Sequence, residues 1–364
     1  MKIGLISFHS FANPGGVKNH ILGLAKEFKK RGHEVKIIVP RRSFWERYDK
    51  DTILLGTSIP INIVGTQGDI VFNFNPFAIK KVLEREKFDV LHFHNFIIPS
   101  ATQILEKSKS LNIITSHANI EDNHIIKNML MGISGKINKK VSGVIGVAPF
   151  NLNPFNNFNG YKAVIPNGID LNEFNPSIKR INKFNNDKIN ILFLGRLEER
   201  KGLIYLLKAY RILKEKYDDI RLIIVGDGPL KKDCQKYASD IKDVYWEGVQ
   251  TGSIVPQYFS TCDIYCSPAI FGESFGIVLL EAMACGKPVV GFSNSGYKEL
   301  FRGTKGEEFL AEPKNEKELA LKLEKLIVNK NLREEMGKWG IEKSQNYSWN
   351  KVADQVLQFY KKCS

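Results

Sequence analysis

The stretch that decides the fold lies in the second half of the chain and reads IYCSPAIFGESFGIVLLEAMACGKPVVGF, residues 264–292. Short apolar runs at Ile264–Ser267 and Val289–Phe292 predict two buried strands. The apolar residues between them predict a helix over Phe275–Cys285. A strand, a helix and a strand in this order form the unit from which parallel sheets are built. The stretch therefore predicts an α/β protein.

The alternation of short strands and amphipathic helices continues in both directions from this stretch. The predicted strands of the first half are Ile3–Ser7, Val35–Val39, Val90–His94, Ile113–Ser116, Val144–Val147 and Ala163–Ile165. Those of the second half are Ile191–Leu194, Arg221–Val225, Val244–Trp246, Ile264–Ser267 and Val289–Phe292. Two such series predict two Rossmann-like, doubly wound domains facing a central cleft, with ligands at the carboxyl ends of the strands.

The length of the chain and the position of its loop-rich segment agree with two domains. The chain has 364 residues, and the segment from about 151 to 190 is rich in Asn and Pro, as loops are. We place the N-terminal domain at residues 1–172 and the C-terminal domain at residues 173–345. The last predicted helix, within residues 346–364, has no strand after it, and we expect it to pack back on the first domain.

The composition excludes several classes of protein. Hydrophobic residues are 43% and charged residues 25% of the chain, values that exclude a disordered or coiled-coil protein. No apolar run reaches the ~18 residues of a membrane span. Five cysteines without a CxxC pair indicate neither a disulfide framework nor a zinc site, which favours a cytoplasmic protein.

The formal net charge is +14 and is concentrated in the first half. Residues 1–180 hold 24 Lys and Arg against 14 Asp and Glu, a difference of +10. Such a surface suits an anionic partner, for example phosphate groups, anionic lipid or nucleic acid. A solvated, lysine-rich surface explains the charge equally well.

The strongest chemical signal is the segment from Glu273 to Glu281. Ser274 is predicted to cap a helix that begins at Phe275, which leaves free N–H groups and a positive dipole end for a diphosphate. Glu281 lies six residues into that helix, roughly 9 Å along its axis, where a carboxylate can accept two hydrogen bonds from a ribose diol. Glu273 precedes the helix, on the side where a sugar would lie. A capped helix with solvated glutamates is the alternative.

Two further loops follow predicted strands. Gly195-Arg196 and Lys201-Gly202 lie in the loop after the first strand of the second series, and phosphates use both the planar donor fork of Arg and the point charge of Lys. Together these cations can neutralise a diphosphate without a metal. Gly15-Gly16 follows the first strand of the chain, where glycines let the backbone approach a phosphate closely, although a plain tight turn is an equal alternative.

Three histidines are candidates for chemistry. His92 and His94 alternate on one strand and point to one face, an arrangement that suits two metal ligands. No third ligand has a suitable spacing, so packing is favoured and no metal site is predicted. His117 ends the strand Ile113–Ser116, where a ligand site at the sheet edge needs a polar group.

Taken together, the motifs resemble those of the GT-B fold glycosyltransferases of family 4, also called group 1. The resemblance spans nearly the whole chain. It rests on Gly15-Gly16, Thr115-Ser116-His117, Ile165-Pro166-Asn167-Gly168-Ile169-Asp170, Gly195-Arg196 with Lys201-Gly202, Val225-Gly226-Asp227-Gly228-Pro229, and Glu273-x7-Glu281, in family order. Within the family, the stretches at residues 10–17, 88–94 and 272–278 are most similar to bacterial phosphatidylinositol mannosyltransferases.

The resemblance implies roles for individual residues. The catalytic residues would be His117 and Glu273. The donor nucleotide sugar would be bound by Gly15, Gly16, Arg196, Lys201, Val249, Ser274, Phe275, Gly276, Ile277 and Glu281. The acceptor would be bound by His9 and Lys18. No metal and no cofactor other than the nucleotide-sugar substrate are implied.

The resemblance also implies a reaction. A hexose, mannose from GDP-mannose by resemblance, would move to a hydroxyl of a lipid-linked or glycan acceptor with retention of anomeric configuration. A UDP-sugar-dependent glucosyl- or N-acetylglucosaminyltransferase is the alternative within the class. A nucleotide-sugar epimerase, a pyridoxal-containing phosphorylase and a basic nucleic-acid-binding protein are alternatives outside it, the last without a recognised binding motif. We expect no nucleic-acid partner and a cytoplasmic protein, peripheral on the inner face of the membrane.

Overall fold

The computed structural model describes residues 1–12, 15–63, 66–72, 75–96, 99–117 and 137–364. These residues form two compact units. The first unit contains Met1–Gly168 together with Trp349–Ser364, and the second contains Ile169–Ser348. The chain therefore leaves the first unit, builds the second, and returns to the first for its last helix.

The first unit is built on an eight-stranded sheet of order β4-β3-β2-β1-β5-β6-β7-β8. The strands are β1 (Lys2–Ser7), β2 (Glu34–Arg41), β3 (Thr52–Ile63), β4 (Thr66–Phe72), β5 (Val90–His94), β6 (Leu111–Ser116), β7 (Gly143–Gly146) and β8 (Tyr161–Val164). The helices are α1 (Gly16–Lys30), α2 (Pro76–Glu86) and α3 (Pro99–Lys107). Buried Ile, Leu and Phe side chains of these elements form the core on both faces of the sheet.

The hairpin of β3 and β4 is absent from the predicted strands. It forms an antiparallel pair, with Thr57 opposite Phe72 and Ile63 opposite Thr66, beside otherwise parallel strands. Only the first part of β3, up to Thr57, pairs with β2. The rest, which contains Pro60, extends beyond β2 as a two-stranded ribbon, and proline within sheets is confined mainly to such edge positions.

The second unit is built on a parallel, six-stranded sheet of order β11-β10-β9-β12-β13-β14. The strands are β9 (Ile189–Leu194), β10 (Ile220–Val225), β11 (Val244–Gly248), β12 (Ile264–Ser267), β13 (Val289–Phe292) and β14 (Leu310–Ala311). The helices are α4 (Leu203–Lys214), α5 (Lys231–Tyr237), α6 (Ile254–Thr261), α7 (Ile277–Ala284), α8 (Ser295–Phe301), α9 (Glu316–Val328) and α10 (Lys330–Ser344). The prediction of an α/β protein with two Rossmann-like units is confirmed.

The last helix, α11 (Trp349–Cys363), packs against α1 in the first unit. Its apolar residues Val352, Val356 and Phe359 are buried in the same core as β1. Gly23 of α1 lies against the Trp349 indole, where an added Cβ would come within 2.2 Å of the ring. This close fit explains why α1 carries a glycine in its middle, where glycine otherwise weakens a helix. None of the helices that the structure describes is long and apolar enough to cross a membrane.

Candidate functional site

Two loops of the second unit meet at the carboxyl edge of its sheet. One follows β9 and carries Arg196, Arg200 and Lys201, and the other follows β12 and carries Glu273. Because β9 and β12 are parallel neighbours, their carboxyl ends lie side by side. Lys201 Nζ donates to Glu273 Oε1 at 2.6 Å. The two segments quoted from the sequence as separate signals thus lie in direct contact.

The backbone holds these two loops together. The Ile270 N–H donates to the Arg200 carbonyl at 2.8 Å. Gly202 has φ +68°, and a Cβ at this position would lie 2.0 Å from the Pro268 carbonyl oxygen. Only glycine allows both the left-handed conformation and the approach of the two chains. The glycine after Lys201 therefore sets the position of the cationic loop.

Arg200 is a site residue that the sequence analysis missed. Its Nη1 donates to Glu273 Oε1 at 3.0 Å, beside Lys201 on the same oxygen. The guanidinium also forms an ion pair with Glu198, whose side chain is only 4% exposed. Arg200 thus lies between two carboxylates. The sequence held a signal for this role, because an arginine adjacent to Lys201 must share its loop.

The helix after this loop begins later than predicted. Gly276 is its N-cap, with φ +92°, and α7 begins at Ile277 rather than at Phe275. The prediction that Ser274 caps the helix is wrong, since no side chain makes the cap hydrogen bond. The left-handed turn at Gly276 takes the place of a side-chain cap. The first intrahelical bonds run from the Leu279 and Leu280 N–H groups to the Gly276 carbonyl, so the N–H groups of Ile277 and Val278 still have no intrahelical acceptor.

Glu281 lies four residues after the start of α7, roughly 6 Å along its axis rather than 9 Å. Burial raises the pKa of its carboxyl to about 8, and the nearby Glu173 carboxylate adds to the rise. In the free protein at neutral pH the group is therefore mainly protonated. A ligand that hydrogen-bonds to the carboxylate form would lower this pKa and expel the proton.

Arg196 and Val249 are open to a ligand. The Arg196 side chain is 43% exposed, and its Nε lies 3.6 Å from Glu198 Oε2. Val249 directly follows β11 and is 64% exposed, an unusual exposure for valine. The loops are linked by main-chain bonds, because the Gly226 N–H donates to the Gly248 carbonyl and the Gly195 N–H to the Val225 carbonyl. The carboxyl ends of β9, β10 and β11 thus form one continuous edge.

In the first unit, His117 is held on two sides. Its main-chain N–H donates to Asn95 Oδ1 at 3.0 Å, and its Nε2 lies 3.1 Å from His94 Nδ1. Burial, together with the neighbouring imidazoles, keeps the pKa of both rings well below the ordinary value. Both side chains are therefore neutral near pH 7, so they can exchange hydrogen bonds but carry no charge.

Two more histidines complete a cluster. His92 bonds to the Tyr360 hydroxyl at 2.7 Å and to Thr115 Oγ1 at 2.6 Å, so both of its nitrogens have structural partners. His20, which the sequence analysis missed, bonds through Nδ1 to Asn167 Oδ1 at 2.8 Å, and burial lowers its pKa to about 4. No local sequence pattern predicts this contact of His20. His20 lies on α1, whereas His94 lies on β5, His117 follows β6, and its partner Asn167 follows β8.

The cluster also has a geometry that could hold a metal ion. Ring nitrogens of His20, His94 and His117 lie within 4.8 Å of one another. Among the described residues, Nε2 of His20 and Nε2 of His94 are buried and have no hydrogen-bond partner. The pair His92 and His94 considered from the sequence is not this group, because both nitrogens of His92 are engaged. That the protein needs no metal stays a prediction.

The predicted glycine loop of the first unit lies at the start of α1. Its Asn13 and Pro14 are outside the described residues, whereas Gly15 and Gly16 are exposed. Gly15 has φ −176°, and a Cβ there would meet none of the described residues within 4 Å, so neither its conformation nor its packing against them requires a glycine. The free space above Gly15 is what a ligand approaching the backbone needs.

The two residues expected to bind an acceptor lie beside this loop. The His9 backbone is fixed by Ser7 Oγ, which donates to its carbonyl at 2.8 Å and accepts from its N–H at 3.0 Å. Lys18 Nζ donates to the Phe11 carbonyl at 2.7 Å. Both side chains thus lie near the carboxyl end of β1.

Both halves of the chain match known families. Residues 14–173 match Glycosyltransferase Family 4, and residues 174–343 match Glycosyl transferases group 1. A phosphatidyl-myo-inositol mannosyltransferase of Mycobacterium tuberculosis is 30% identical over 371 residues, which cover 99% of this chain and 96% of the relative. The enzyme of the same name from Propionibacterium freudenreichii is 28% identical, with 99% and 94% covered.

Solved structures share the fold at lower identity. Anabaena HepE in complex with UDP and glucose is 20% identical with a TM-score of 0.76, and 99% of each chain is covered. Sucrose-phosphate synthase from Thermosynechococcus elongatus is 20% identical with a TM-score of 0.81, covering 99% of this chain and 98% of that one. With both halves matched and a 30% identical relative along nearly its full length, the chain belongs to the family 4 (group 1) glycosyltransferases and is an enzyme of the GT-B fold.

Proposed function

We propose that this glycosyltransferase moves mannose from GDP-mannose to a hydroxyl of a lipid-linked acceptor, with retention of configuration. The observation that carries the proposal is the contact of Lys201 with Glu273 at the carboxyl edge of the second unit, beside the start of α7. It unites a diphosphate-binding cation, a carboxylate and free helix N–H groups in one place. The mannose donor and lipid acceptor follow the names of the relatives that are 28–30% identical.

The proposed chemistry needs charge stabilisation more than proton transfer. As the bond from the sugar carbon to the diphosphate breaks, the departing oxygen gains negative charge, which Arg196, Lys201 and the first N–H groups of α7 stabilise. A departing phosphate oxygen takes the acceptor proton as the new glycosidic bond forms on the same face. Glu273 contacts the sugar, Glu281 the ribose, and Val249 the base. In the first unit we propose, from the family resemblance, that His117 and the backbone at Gly15 and Gly16 contact the donor and that His9 and Lys18 contact the acceptor.

Arg200 gives this site a way to keep Glu273 in place. In the free protein Lys201 and Arg200 share one oxygen of the Glu273 carboxylate. When Lys201 turns to the diphosphate, Arg200 remains as the positive partner of Glu273, itself held by Glu198. Donor binding thus exchanges one ion pair without leaving the largely buried Glu273 carboxylate unpaired, a state that would be costly.

The decisive experiment is a panel of nucleotide sugars with release of nucleoside diphosphate as the readout. We expect turnover of GDP-mannose in the presence of a phosphatidylinositol-containing extract of lipids, and slow hydrolysis without an acceptor. Faster turnover of UDP-glucose or UDP-N-acetylglucosamine would replace the donor and keep the reaction class. Formation of an epimeric sugar nucleotide without any acceptor would contradict glycosyl transfer.

Chelation should leave donor turnover intact. Arg196, Lys201 and the start of α7 supply the counter-charge that a divalent cation otherwise provides. We expect turnover rates in an excess of EDTA to equal those without it. Loss of turnover that Mn²⁺ or Zn²⁺ restores would contradict this expectation and would direct attention to the cluster of His20, His94 and His117.

Removing either phosphate-binding cation should weaken binding of nucleoside diphosphate. A charge-assisted hydrogen bond contributes about 1.5–3 kcal/mol, so Arg196→Ala and Lys201→Ala should each raise Kd roughly 10- to 150-fold. Calorimetry with GDP measures this directly. Arg211→Ala is the matched control, because Arg211 pairs with Asp240 on the surface of the same unit. Wild-type affinity in both test variants would place the diphosphate elsewhere.

A further inference from the structure

The first unit exposes two adjacent aromatic side chains. Phe44 is 70% and Trp45 is 79% exposed, and their rings pack edge to face with centroids 5.7 Å apart. They lie in the segment between β2 and β3, residues 42–51, which we call the aromatic loop. The other three tryptophans, Trp246, Trp339 and Trp349, are partly buried in the cores of their units. A solvent-exposed pair of large aromatic side chains is typical of a surface that binds a protein, a membrane or a ligand.

The aromatic loop is a built structure. The Glu46 carboxylate lies at its centre and accepts four hydrogen bonds, each 3.2 Å long. The donors are the Ser10 hydroxyl, the Tyr48 hydroxyl and the main-chain N–H groups of Arg42 and Ser43. These hydrogen bonds occupy the Glu46 carboxylate, so its main role is to hold the loop in shape. The folded loop therefore holds the Phe44 and Trp45 side chains on its outer, exposed side.

The charge around the aromatic pair is positive. The Arg41 guanidinium lies 5.9 Å from the centre of the Phe44 ring, a cation–π arrangement. Arg47 and Lys50 are exposed on the same segment. Aromatic rings with cations beside them match the interface of an anionic bilayer, where rings lie at the headgroup level and cations meet lipid phosphates. The +10 balance of residues 1–180 favours the same partner.

The position of the loop relates it to the acceptor. It follows the carboxyl end of β2, and Ser10, which it binds, follows the carboxyl end of the adjacent parallel strand β1. His9 lies at the end of that strand. The aromatic loop is thus at the edge of the first sheet where the proposed acceptor residues are found. A bilayer bound there would bring its lipids to that edge.

We propose that the aromatic loop is an interfacial anchor, which inserts Phe44 and Trp45 into the headgroup region of an anionic lipid bilayer next to the acceptor residues. The inference rests on the proposed function in one respect: it assumes that the acceptor is lipid-linked and reaches the enzyme at this surface. The aromatic pair supplies apolar burial, and Arg47 and Lys50 supply the electrostatic attraction. Binding to the bilayer therefore requires both the apolar burial and the electrostatic attraction, and it weakens as the salt concentration rises.

The test uses the full-length protein and vesicles of phosphatidylcholine with and without phosphatidylglycerol. Trp45 emission should shift to shorter wavelength on anionic vesicles and be quenched by brominated lipid, and Trp45→Phe should remove that signal while keeping binding. The double variant Phe44→Ser with Trp45→Ser should bind anionic vesicles at least tenfold more weakly. Leu321→Ser is the matched control, since Leu321 is an exposed apolar residue of the second unit.

Two results would overturn the inference. One is equal binding of wild type and double variant to anionic vesicles, with Trp45 unquenched. The other is a concentration-dependent dimer in sedimentation that the double variant loses, which would assign the pair to self-association. GDP binding and donor hydrolysis in the absence of vesicles should be the same in both proteins. If the donor panel fails while Trp45 still inserts, the proposed reaction is wrong and the anchor stands.

Discussion

Glu273→Gln is expected to lower kcat by roughly 100- to 1000-fold while leaving GDP affinity at or above the wild-type value. The carboxylate contacts the transferred sugar in our proposal, so its interaction strengthens as positive charge develops on the ring, and its loss falls on the chemical step. The structure adds a second effect. The amide releases Lys201 from an ion pair, and the freed ammonium is then available to the diphosphate. The measurements are steady-state kinetics with the full donor and calorimetry with GDP.

Glu281→Gln is the matched variant and should behave in the opposite way. The ribose does not change during the reaction, so loss of its acceptor should raise KM for the donor and spare most of kcat. Because burial raises the pKa of Glu281 to about 8, wild-type GDP binding near pH 7 should release a proton, and the variant should release less. Calorimetry in buffers of different ionisation enthalpy detects this. If GDP binding were lost in Glu273→Gln and kept in Glu281→Gln, the donor would have to lie in the opposite orientation along α7.

Gly202→Ala is expected to destabilise the second unit by about 2–4 kcal/mol. The left-handed backbone costs an alanine about 1 kcal/mol, and a Cβ 2.0 Å from the Pro268 carbonyl forces the two loops apart at a further cost of about 1–3 kcal/mol. The loop that carries Arg200 and Lys201 must shift, so GDP affinity should fall as well. Denaturant unfolding followed by circular dichroism measures the first effect and calorimetry the second.

Gly248→Ala separates conformation from crowding. Gly248 has φ +67°, almost the same as Gly202, but a Cβ there would meet nothing within 4 Å. Its replacement should therefore cost only the conformational part, about 1 kcal/mol. Equal destabilisation by the two substitutions would mean that the approach of Gly202 to Pro268 contributes nothing to the stability of the site.

The regular strands and their order along the chain follow from the sequence because each is a short apolar run between loops. The hairpin of β3 and β4 does not follow from it. Pro60 and the glycines Gly56 and Gly68 oppose a strand locally, and the place of the hairpin in the sheet depends on pairing with another strand, β2. The start of α7 was misplaced for a similar reason. A glycine turn and a serine cap are both compatible with the same local sequence.

For the site, the sequence is informative where a loop must follow a strand. Arg196, Lys201 and Glu273 could be assigned to one edge because the loops after parallel strands share it. The network of Arg200 with Glu198 and Glu273 depends on side-chain directions within the folded loop, which spacing does not determine. The raised pKa of Glu281 and the imidazole cluster depend on burial, a property of the assembled core rather than of any local segment.

The return of α11 to the first unit has a consequence for the order of events on the ribosome. Tyr360 bonds His92, and Val352 and Phe359 fill the core beside β1, yet these residues are translated after the 180 residues 169–348 of the second unit. At about 5–20 residues per second, the first unit waits roughly 10–40 s for its last helix. A released chain that ends at Ser348, before α11, should therefore carry a folded second unit and a protease-sensitive first unit, so the part of the enzyme made first is the part completed last.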